Sequence, residues 1–550
     1  MSKFKESAVK NNINGFYENQ VENFMGGVSF NINPLDTLRI IAASSIFGEP
    51  SYYRDGFKSN AYISNILELE HSVFAYMFKD SRSTLDVFTT AIKNSLEFDF
   101  KGTLDLASRL RSEFNMRLNP SVIFIYACVH ENRKKFNEEN PGYMREIGRK
   151  IIQRPDDMTN QFEYYTHLKG SDKGLPSVVK RLWAEILGGL KPYHINKYKG
   201  KLLIDLVRIA HPTKKDKKVM NQAGLTAIDE LMQTGKVHVE ESEKTWENLK
   251  SEGKTWKEIL DTIKIPHMAL LRNLNGIFTE IEDIEIAKKV CEQLKSGVLY
   301  GKQFPFRYYS AFNAIGNGVH HLQLLKDTLQ ECLDISVANF PKLNGKTICL
   351  SDNSGSAWGA LNSEYGTVKV AEIANLSSII TALQSDEGYL GLFGDNLKII
   401  PISKRDGILT QHAEANKMGP RQGGTGGGNT ENGIWIFFRD AIKNKVKYDN
   451  VFIYSDMQAG HGGLYGTDPS EYSKFAHENG NMYIDVLKLV DEYRKKVNSK
   501  VNIFSVQVAG YSNSVIPENY YRSTILGGWT GKESLYAKSL IEIWDDIEKR

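Results

Sequence analysis

The chain has 550 residues, of which 41% are hydrophobic and 25% are charged, and its net charge is +3. This composition is ordinary for a soluble globular protein with an ample core, and the length predicts more than one domain. Four widely spaced cysteines argue against a disulfide framework or a zinc site. No stretch has the apolar length of a membrane span, and the first residues lack a secretory apolar region, so we expect a cytoplasmic protein without membrane contact.

Residues 1–35 are rich in asparagine and show no hydrophobic periodicity, which predicts an extended arm. Helical patterns punctuated by Gly and Pro follow from residue 36 to residue 340. So many successive helices with few strands predict stacked helical hairpins. Since no fixed-period repeat is visible in the sequence, any repeat must be structural. Residues 341–345 are the expected linker to a second domain at 345–550.

Positive charge is concentrated within the helical region. Residues 101–218 contain 24 Lys and Arg against 13 Asp and Glu, a net charge of +11. Such a surplus favours a polyanion as partner, although solvated helix faces are the alternative explanation. The cations are densest between residues 180 and 218, where Tyr193, His194 and Tyr198 are interleaved as candidates for stacking on unpaired bases.

The candidate RNA-binding residues are Lys180, Arg181, Lys197, Lys199, Lys201, Arg208, His211, Lys214 and Lys215. For His211 an alternative remains open, because a residue at the C-terminus of a helix can serve to bind the last carbonyls.

The segment from Gly345 to Trp358 reads GKTICLSDNSGSAW. A short apolar run of strand type ends in D-x-S-x-S, from Asp352 to Ser356, and a helical segment follows. This order puts one carboxylate and two hydroxyls on a single loop after a strand, and such oxygen ligands suit Mg²⁺. The alternative is a Ser-rich turn whose Asp caps a helix.

The rest of the chain alternates strands and helices. Strands are predicted at 389–393, 397–402, 451–455 and 501–509, and helices near 368–383, 431–442, 482–496 and 534–549. This alternation predicts a mainly parallel sheet covered on both faces, with ligands at the carboxyl ends of its strands.

The D-x-S-x-S run, a Thr at a helix start and an Asp after a later strand resemble the metal-ion-dependent adhesion site of von Willebrand factor type A domains. The resemblance implies a doubly wound α/β fold and a divalent cation, Mg²⁺ or Mn²⁺. The implied ligands are Asp352, Ser354, Ser356, Thr430 and Asp456. Thr425 also fits, but Thr430 is favoured because it directly precedes the helix predicted from residue 431.

Four strings in the helical half resemble, in the family's order, the TROVE module of the Ro ribonucleoprotein family. They are EPSYYRDGF (49–57), KYKGKLLIDLVRIAHPTKK (197–215), TWKEILDTIKIPHMALLRNLNGI (255–277) and FPFRYYSAF (304–312). The resemblance implies an α plus α/β protein: a ring of HEAT-like helical repeats at 36–340, followed by the type A domain. Lys180 and Arg181 match the family's basic pair, and His211 matches its motif histidine.

The same resemblance implies binding of small non-coding Y RNAs on the outer surface, and of single-stranded ends of misfolded RNAs in a central hole. We expect a monomeric RNA chaperone or adaptor of RNA quality control, with an exoribonuclease or another protein bound through the type A domain. The chain has no P-loop, H-E-x-x-H or G-x-S-x-G motif, so we expect no enzyme. The alternative is a metal-dependent adhesion module that grips a partner's acidic residue without binding RNA.

Overall fold

The computed structural model describes residues 20–22, 28–30, 33–43, 84–170, 174–198, 201–212, 223–240, 244–359, 362–363, 366–417, 432–455, 475–477, 480–484, 486–508, 521–527 and 532–549. Within the predicted arm, strands β1 (Gln20–Glu22) and β2 (Val28–Phe30) pair antiparallel. The string at 49–57 lies outside the described residues. No helix in the described ranges is long and apolar enough to cross a membrane.

Helices follow one another through the first part of the chain, as the periodicity predicts. In order they are α1 (Pro34–Ala43), α2 (Thr84–Phe98), α3 (Phe100–Ser112), α4 (Leu118–Val129), α5 (Arg133–Glu139), α6 (Tyr143–Ile151), α7 (Pro155–Lys169), α8 (Ser177–Gly188), α9 (Pro192–Tyr198), α10 (Lys201–Ala210), α11 (Ala223–Thr234), α12 (Trp246–Ser251), α13 (Trp256–Thr262), α14 (His267–Arg272), α15 (Leu274–Glu280), α16 (Ile284–Gly301), α17 (Pro305–Ala314) and α18 (Leu322–Ser336). A 3₁₀ turn, Val337–Asn339, ends the series.

Helix α6 shows how these helices pack. Its buried residues Met144, Ile147, Gly148 and Ile151 recur at the spacing of one helical face. A Cβ atom on Gly148 would lie 2.3 Å from Leu182 Cδ2, so a larger residue would force the buried Leu182 side chain of α8 to shift. The first helices share one hydrophobic core, and α12–α18 contribute to a second.

The remaining strands are β3 (Leu343–Asp352), β4 (Asn362–Ser363), β5 (Gly366–Lys369), β6 (Ser385–Phe393), β7 (Leu397–Pro401), β8 (Asn450–Ser455), β9 (Ala476–His477), β10 (Gly480–Ile484), β11 (Asn502–Gln507) and β12 (Ser523–Gly527). The described strands of the main sheet stand in the order β12-β11-β8-β3-β6-β7. All neighbours pair parallel except β6 and β7, which pair antiparallel. The strands and the largely parallel sheet are therefore confirmed, within a mostly helical chain.

Helices cover both faces of this sheet. They are α19 (Gly355–Gly359), α20 (Val370–Leu383), α21 (Ile408–Lys417), α22 (Asn432–Asn444), α23 (Val486–Lys496) and α24 (Glu533–Lys549). Successive strand residues point to opposite faces, so Cys349 and Phe452 pack with α20 and α24, while Ile348 and Val451 pack with α22 and α23. The sheet is consequently the middle layer of three.

Several details of this part differ from the predictions or add to them. Strand β7 runs antiparallel, since only residues 394–396 separate it from β6 and a parallel return needs a longer crossover. Helix α21 and the short strands β4, β5, β9, β10 and β12 were not predicted. Strand β10 also covers residues where the helix at 482–496 was expected to start, and that helix begins at Val486. Strand β3 begins at Leu343, inside the predicted linker.

Helix α24 also packs against α1, at the start of the helical region. The sheet part of the chain therefore contacts helices far away in sequence.

Candidate metal centre and nucleic-acid interface

Asp352 is the last residue of β3, between β8 and β6, and it is fully buried. Its Oδ1 accepts a hydrogen bond from the Ser354 backbone N–H at 2.9 Å, and its Oδ2 accepts one from Ser455 Oγ at 2.8 Å. These bonds fix the carboxylate at the carboxyl edge of the central strands, where ligands bind in parallel sheets.

Ser354 follows on the same loop and is also buried. Its Oγ accepts a hydrogen bond from the Ala357 backbone N–H at 3.4 Å, at the start of α19. The loop thus has the hydrogen bonds of a polar turn before a helix, as the alternative interpretation expected. Those bonds do not change which atoms are present in the loop. They are carboxylate and hydroxyl oxygens, the ligands that a hard divalent cation prefers.

Only some of the other predicted metal ligands belong to the residues that the structure describes. Ser356 lies in α19, while Thr425, Thr430 and Asp456 lie outside the described residues. Asp456 directly follows Ser455, the last residue of β8 and the hydrogen-bond partner of Asp352. In the described ranges, no group of three or more His, Cys, Asp or Glu side chains forms a metal cluster.

Sequence reasoning missed the residues that support this loop. Ser351 Oγ and Asn353 Nδ2 both donate to Asn375 Oδ1, at 2.6 and 2.9 Å, from β3 to α20. The available signal was a single asparagine within the mostly apolar helix run VAEIANLSSIITAL. A buried amide in such a helix has to find hydrogen-bond partners.

The described basic candidates lie on three helices of one neighbourhood, since α8 and α9 both contact α10. Arg181 on α8 and Lys197 on α9 are exposed, and Lys180 is half-buried. Arg208 on α10 is exposed, with its guanidinium 3.7 Å from Asp205. Lys201 begins α10, whereas Lys199, Lys214 and Lys215 lie outside the described residues.

His211 stands just after α10 and is exposed. Its φ is +50°, the left-handed conformation common where helices end, and its backbone N–H donates to the Val207 carbonyl at 2.9 Å. The helix-ending role is thus carried by the backbone. The imidazole is exposed to solvent and therefore available for stacking.

Some basic side chains near these candidates are already paired with a carboxylate. Arg145 and Arg149 of α6 both bind Glu185 of α8, at 2.5 and 2.8 Å. Burial opposes ionisation of Glu185, but hydrogen bonds from Arg149 and Arg145 outweigh it, so the pKa of this carboxyl lies below its usual value. The pairs hold α6 against α8 and use part of the local positive charge.

Comparisons with known proteins agree with this architecture. Residues 191–348 match the family model of the TROVE domain. The match includes the strings at 197–215, 255–277 and 304–312. The fold is similar to the crystal structure of the Ro (RSR) protein of Deinococcus radiodurans, with a TM-score of 0.58 and 13% identity, over 82% of this chain and 93% of that chain. A search of curated proteins finds no match in sequence.

The domain match shows a TROVE domain within residues 191–348, which span the helices from α9 to α18 and the start of β3. The resemblance seen in the sequence is thus confirmed for the TROVE domain, and the helices and the sheet together share the fold of that Ro protein over most of both chains.

Proposed function

We propose that this chain is an RNA-binding protein of the Ro type, acting as a chaperone or adaptor of non-coding RNA within a ribonucleoprotein. The TROVE domain is the observation that carries the proposal, because the matched residues include α9 and α10 of the basic neighbourhood. The RNAs would be small Y-like RNAs and misfolded RNAs with single-stranded ends. Phosphate neutralisation by Arg181, Lys197 and Arg208 would supply most of the affinity.

The proposal includes a closed ring of HEAT-like repeats with a central hole. It is supported by the contacts that bring distant helices together. The Lys532 ammonium lies 5.2 Å from the ring centroid of Phe304, at the start of α17, while α24 packs on α1. Phe306 belongs to the same hydrophobic core as Leu38. Both ends of the helical series thus approach the same part of the molecule.

The sheet part, in this proposal, is a type A domain with a metal-ion-dependent adhesion site. Asp352, Ser354 and Ser356 would hold Mg²⁺ or Mn²⁺ together with Thr430 or Thr425 and Asp456. The cation would supply a positive charge whose coordination is completed by water or a partner's carboxylate. A protein partner such as an exoribonuclease would bind there, and the protein would act as a cytoplasmic monomer without catalysing a reaction.

The test of RNA binding is a salt titration of affinity for a labelled single-stranded RNA, followed by fluorescence anisotropy. The double substitution Lys180→Ala/Arg181→Ala should weaken binding to different sequences alike. It should also flatten the slope of log K against log[salt], by about 0.7 for each phosphate that the variant no longer neutralises. Equal affinity and equal slope in the variant would show that these residues are not at the RNA surface.

A matched control is Lys288→Ala/Lys289→Ala. These lysines are adjacent and exposed on α16, outside the basic block at 101–218, and removing them changes the net charge equally. We expect this control to bind RNA as the unmodified protein does.

The second candidate is the adhesion module without RNA binding, which the edge position of Asp352 and Ser354 favours. A protein that binds no RNA near physiological salt, but binds a protein partner only in the presence of a divalent cation, would support it.

A further inference from the structure

One buried amide side chain, that of Asn375, holds the loop that carries Asp352 in place. Asn375 lies on α20 with no exposed surface, between the apolar residues Ala374 and Leu376 in sequence. Its Oδ1 accepts from Ser351 Oγ at 2.6 Å and from Asn353 Nδ2 at 2.9 Å. Its Nδ2 donates to Asn353 Oδ1 at 3.2 Å and to Asn416 Oδ1 at 2.8 Å. All four hydrogen-bonding positions of this side chain are used.

Two of these partners flank Asp352 directly, one on each side. Ser351 and Asn353 are therefore both tied to the same point of α20, and Asp352 between them cannot turn without breaking those bonds. The Asn353 backbone N–H also donates to the Phe393 carbonyl at 2.8 Å, which fixes the loop to β6. The direction of the Asp352 carboxylate is thus set by the contacts of the loop with Asn375 and Phe393, as well as by the hydrogen bonds from Ser354 and Ser455.

Asn375 is itself held in place from the helical region. Its partner Asn416 is on α21, whose first turn is capped by Asp334 of α18: the Ile408 N–H donates to Asp334 Oδ1 at 2.9 Å. On the same helix His412 Nε2 lies 2.8 Å from the Glu372 carbonyl of α20, and its ring meets the Tyr309 ring edge to face, with centroids 5.1 Å apart. Helix α21 therefore contacts both Asn375, which holds the loop, and the helices α17 and α18.

We propose that Asn375 is a positioning residue of the metal site, which aligns Asp352 for a divalent cation, and that Asn416 of α21 keeps it aligned. The inference rests on the proposed metal site of the type A domain. Residues that orient metal ligands typically change metal affinity by 10–100-fold when replaced, although they do not touch the ion. Asn375 would act in that way because it restricts the backbone on both sides of the ligand.

The test is calorimetric titration of the full chain with Mg²⁺ and with Mn²⁺, in the unmodified protein and in Asn375→Ala. We expect the variant to bind at least about 10-fold more weakly. The matched control is Ser378→Ala, one turn along the same helix: its hydroxyl is fully buried and has no hydrogen-bond partner among the described residues. It should keep the affinity of the unmodified protein.

A purely structural role would lower the melting temperature and leave cation affinity unchanged, so both are measured. Asn416→Ala removes one bond to Asn375 and leaves its bonds to the loop intact, which keeps the test usable if Asn375→Ala does not fold. It should weaken cation binding by a few-fold, whereas Glu414→Ala on the same helix should not. Unchanged affinity in both Asn variants overturns the positioning role. If the unmodified protein binds neither ion, the metal site itself is overturned, and the positioning role with it.

Discussion

The buried ammonium of Lys532 donates hydrogen bonds to the backbone carbonyls of Phe114, at 3.0 Å, and Asn115, at 3.3 Å. The lysine directly precedes α24, and the two carbonyls follow α3. One side chain thus joins the sheet part of the chain to a helix end 418 residues away. The ring of Tyr536, one turn into α24, stacks on Phe114 and extends the contact.

Replacing Lys532 should weaken the contact between α24 and the end of α3 and so lower the stability of the protein. Lys532→Met keeps most of the apolar stem but removes the donor from the buried carbonyl of Phe114 and the partly buried carbonyl of Asn115, so we expect a loss of about 1–3 kcal/mol in the free energy of unfolding. Urea denaturation measures it. Lys538→Met is the control, since Lys538 is half-buried on α24 and has no ion pair among the described residues; a loss as large as that of Lys532→Met would argue against this contact.

Gly148 should not tolerate a side chain. An added Cβ would lie 2.3 Å from Leu182 Cδ2 and 2.7 Å from Phe124 Cζ, and both of these residues are fully buried. Overpacking of this kind costs about 1–3 kcal/mol, which exceeds the preference of a helix for alanine over glycine. Gly148→Ala should therefore lower the melting temperature, whereas Gly189→Ala, whose nearest neighbours would be 3.6 Å away, should leave it nearly unchanged.

Stability should fall at mildly acidic pH because of His412. Burial lowers the pKa of this imidazole to about 4, although the hydrogen bond to the Glu372 carbonyl opposes the shift. Between about pH 6.5 and pH 4 the unfolded chain binds the proton more readily than the folded one, so stability decreases as pH falls through this window. At pH 5, His412 should lower the free energy of unfolding by about 2 kcal/mol relative to neutral pH.

The check is urea denaturation at pH 7.5 and pH 5 for the unmodified protein and His412→Gln. Glutamine can also donate to the Glu372 carbonyl but does not titrate. The variant should lose less stability on acidification; an equal loss in both proteins would assign the pH effect to other groups.

Divalent cation binding should depend on Asp352. We expect Asp352→Asn to weaken binding of Mg²⁺ sharply, because the charged ligand is removed while the shape of the side chain is kept. Asp386→Asn is a suitable control: this carboxylate, which accepts from the Gly345 N–H at 2.8 Å, is at the amino end of β6, at the opposite edge of the sheet. Calorimetry that gives equal affinities for both variants would contradict the site.

The strands near 389–393 and 451–455 were predictable because parallel strands buried on both faces read as apolar runs. Helix α21 was not, since only Ile408, His412 and Ala415 of ILTQHAEANK are buried and its apolar stripe is too narrow to show in the sequence. Strand β12 was missed for a similar reason: it begins with Ser523 and Thr524, whose burial depends on neighbours distant in sequence.

The position of the candidate metal loop at the end of a strand was predictable, because D-x-S-x-S is a local pattern. Its support by Asn375 and Asn416 was not, because it depends on how α20 and α21 pack behind β3. The basic block was visible as a charge surplus. Its division into exposed cations such as Arg181 and paired ones such as Arg145 required the position of Glu185.

The packing of α24 on α1 has a consequence for synthesis. The ribosome makes α1 early, but the helix that covers part of its surface emerges some 500 residues later. Contacts so distant in sequence form slowly, and apolar surface that waits for them is prone to aggregation. The nascent helical part would thus remain incompletely packed until translation reaches α24, and a chaperone that shields it during that interval should raise the yield of native protein.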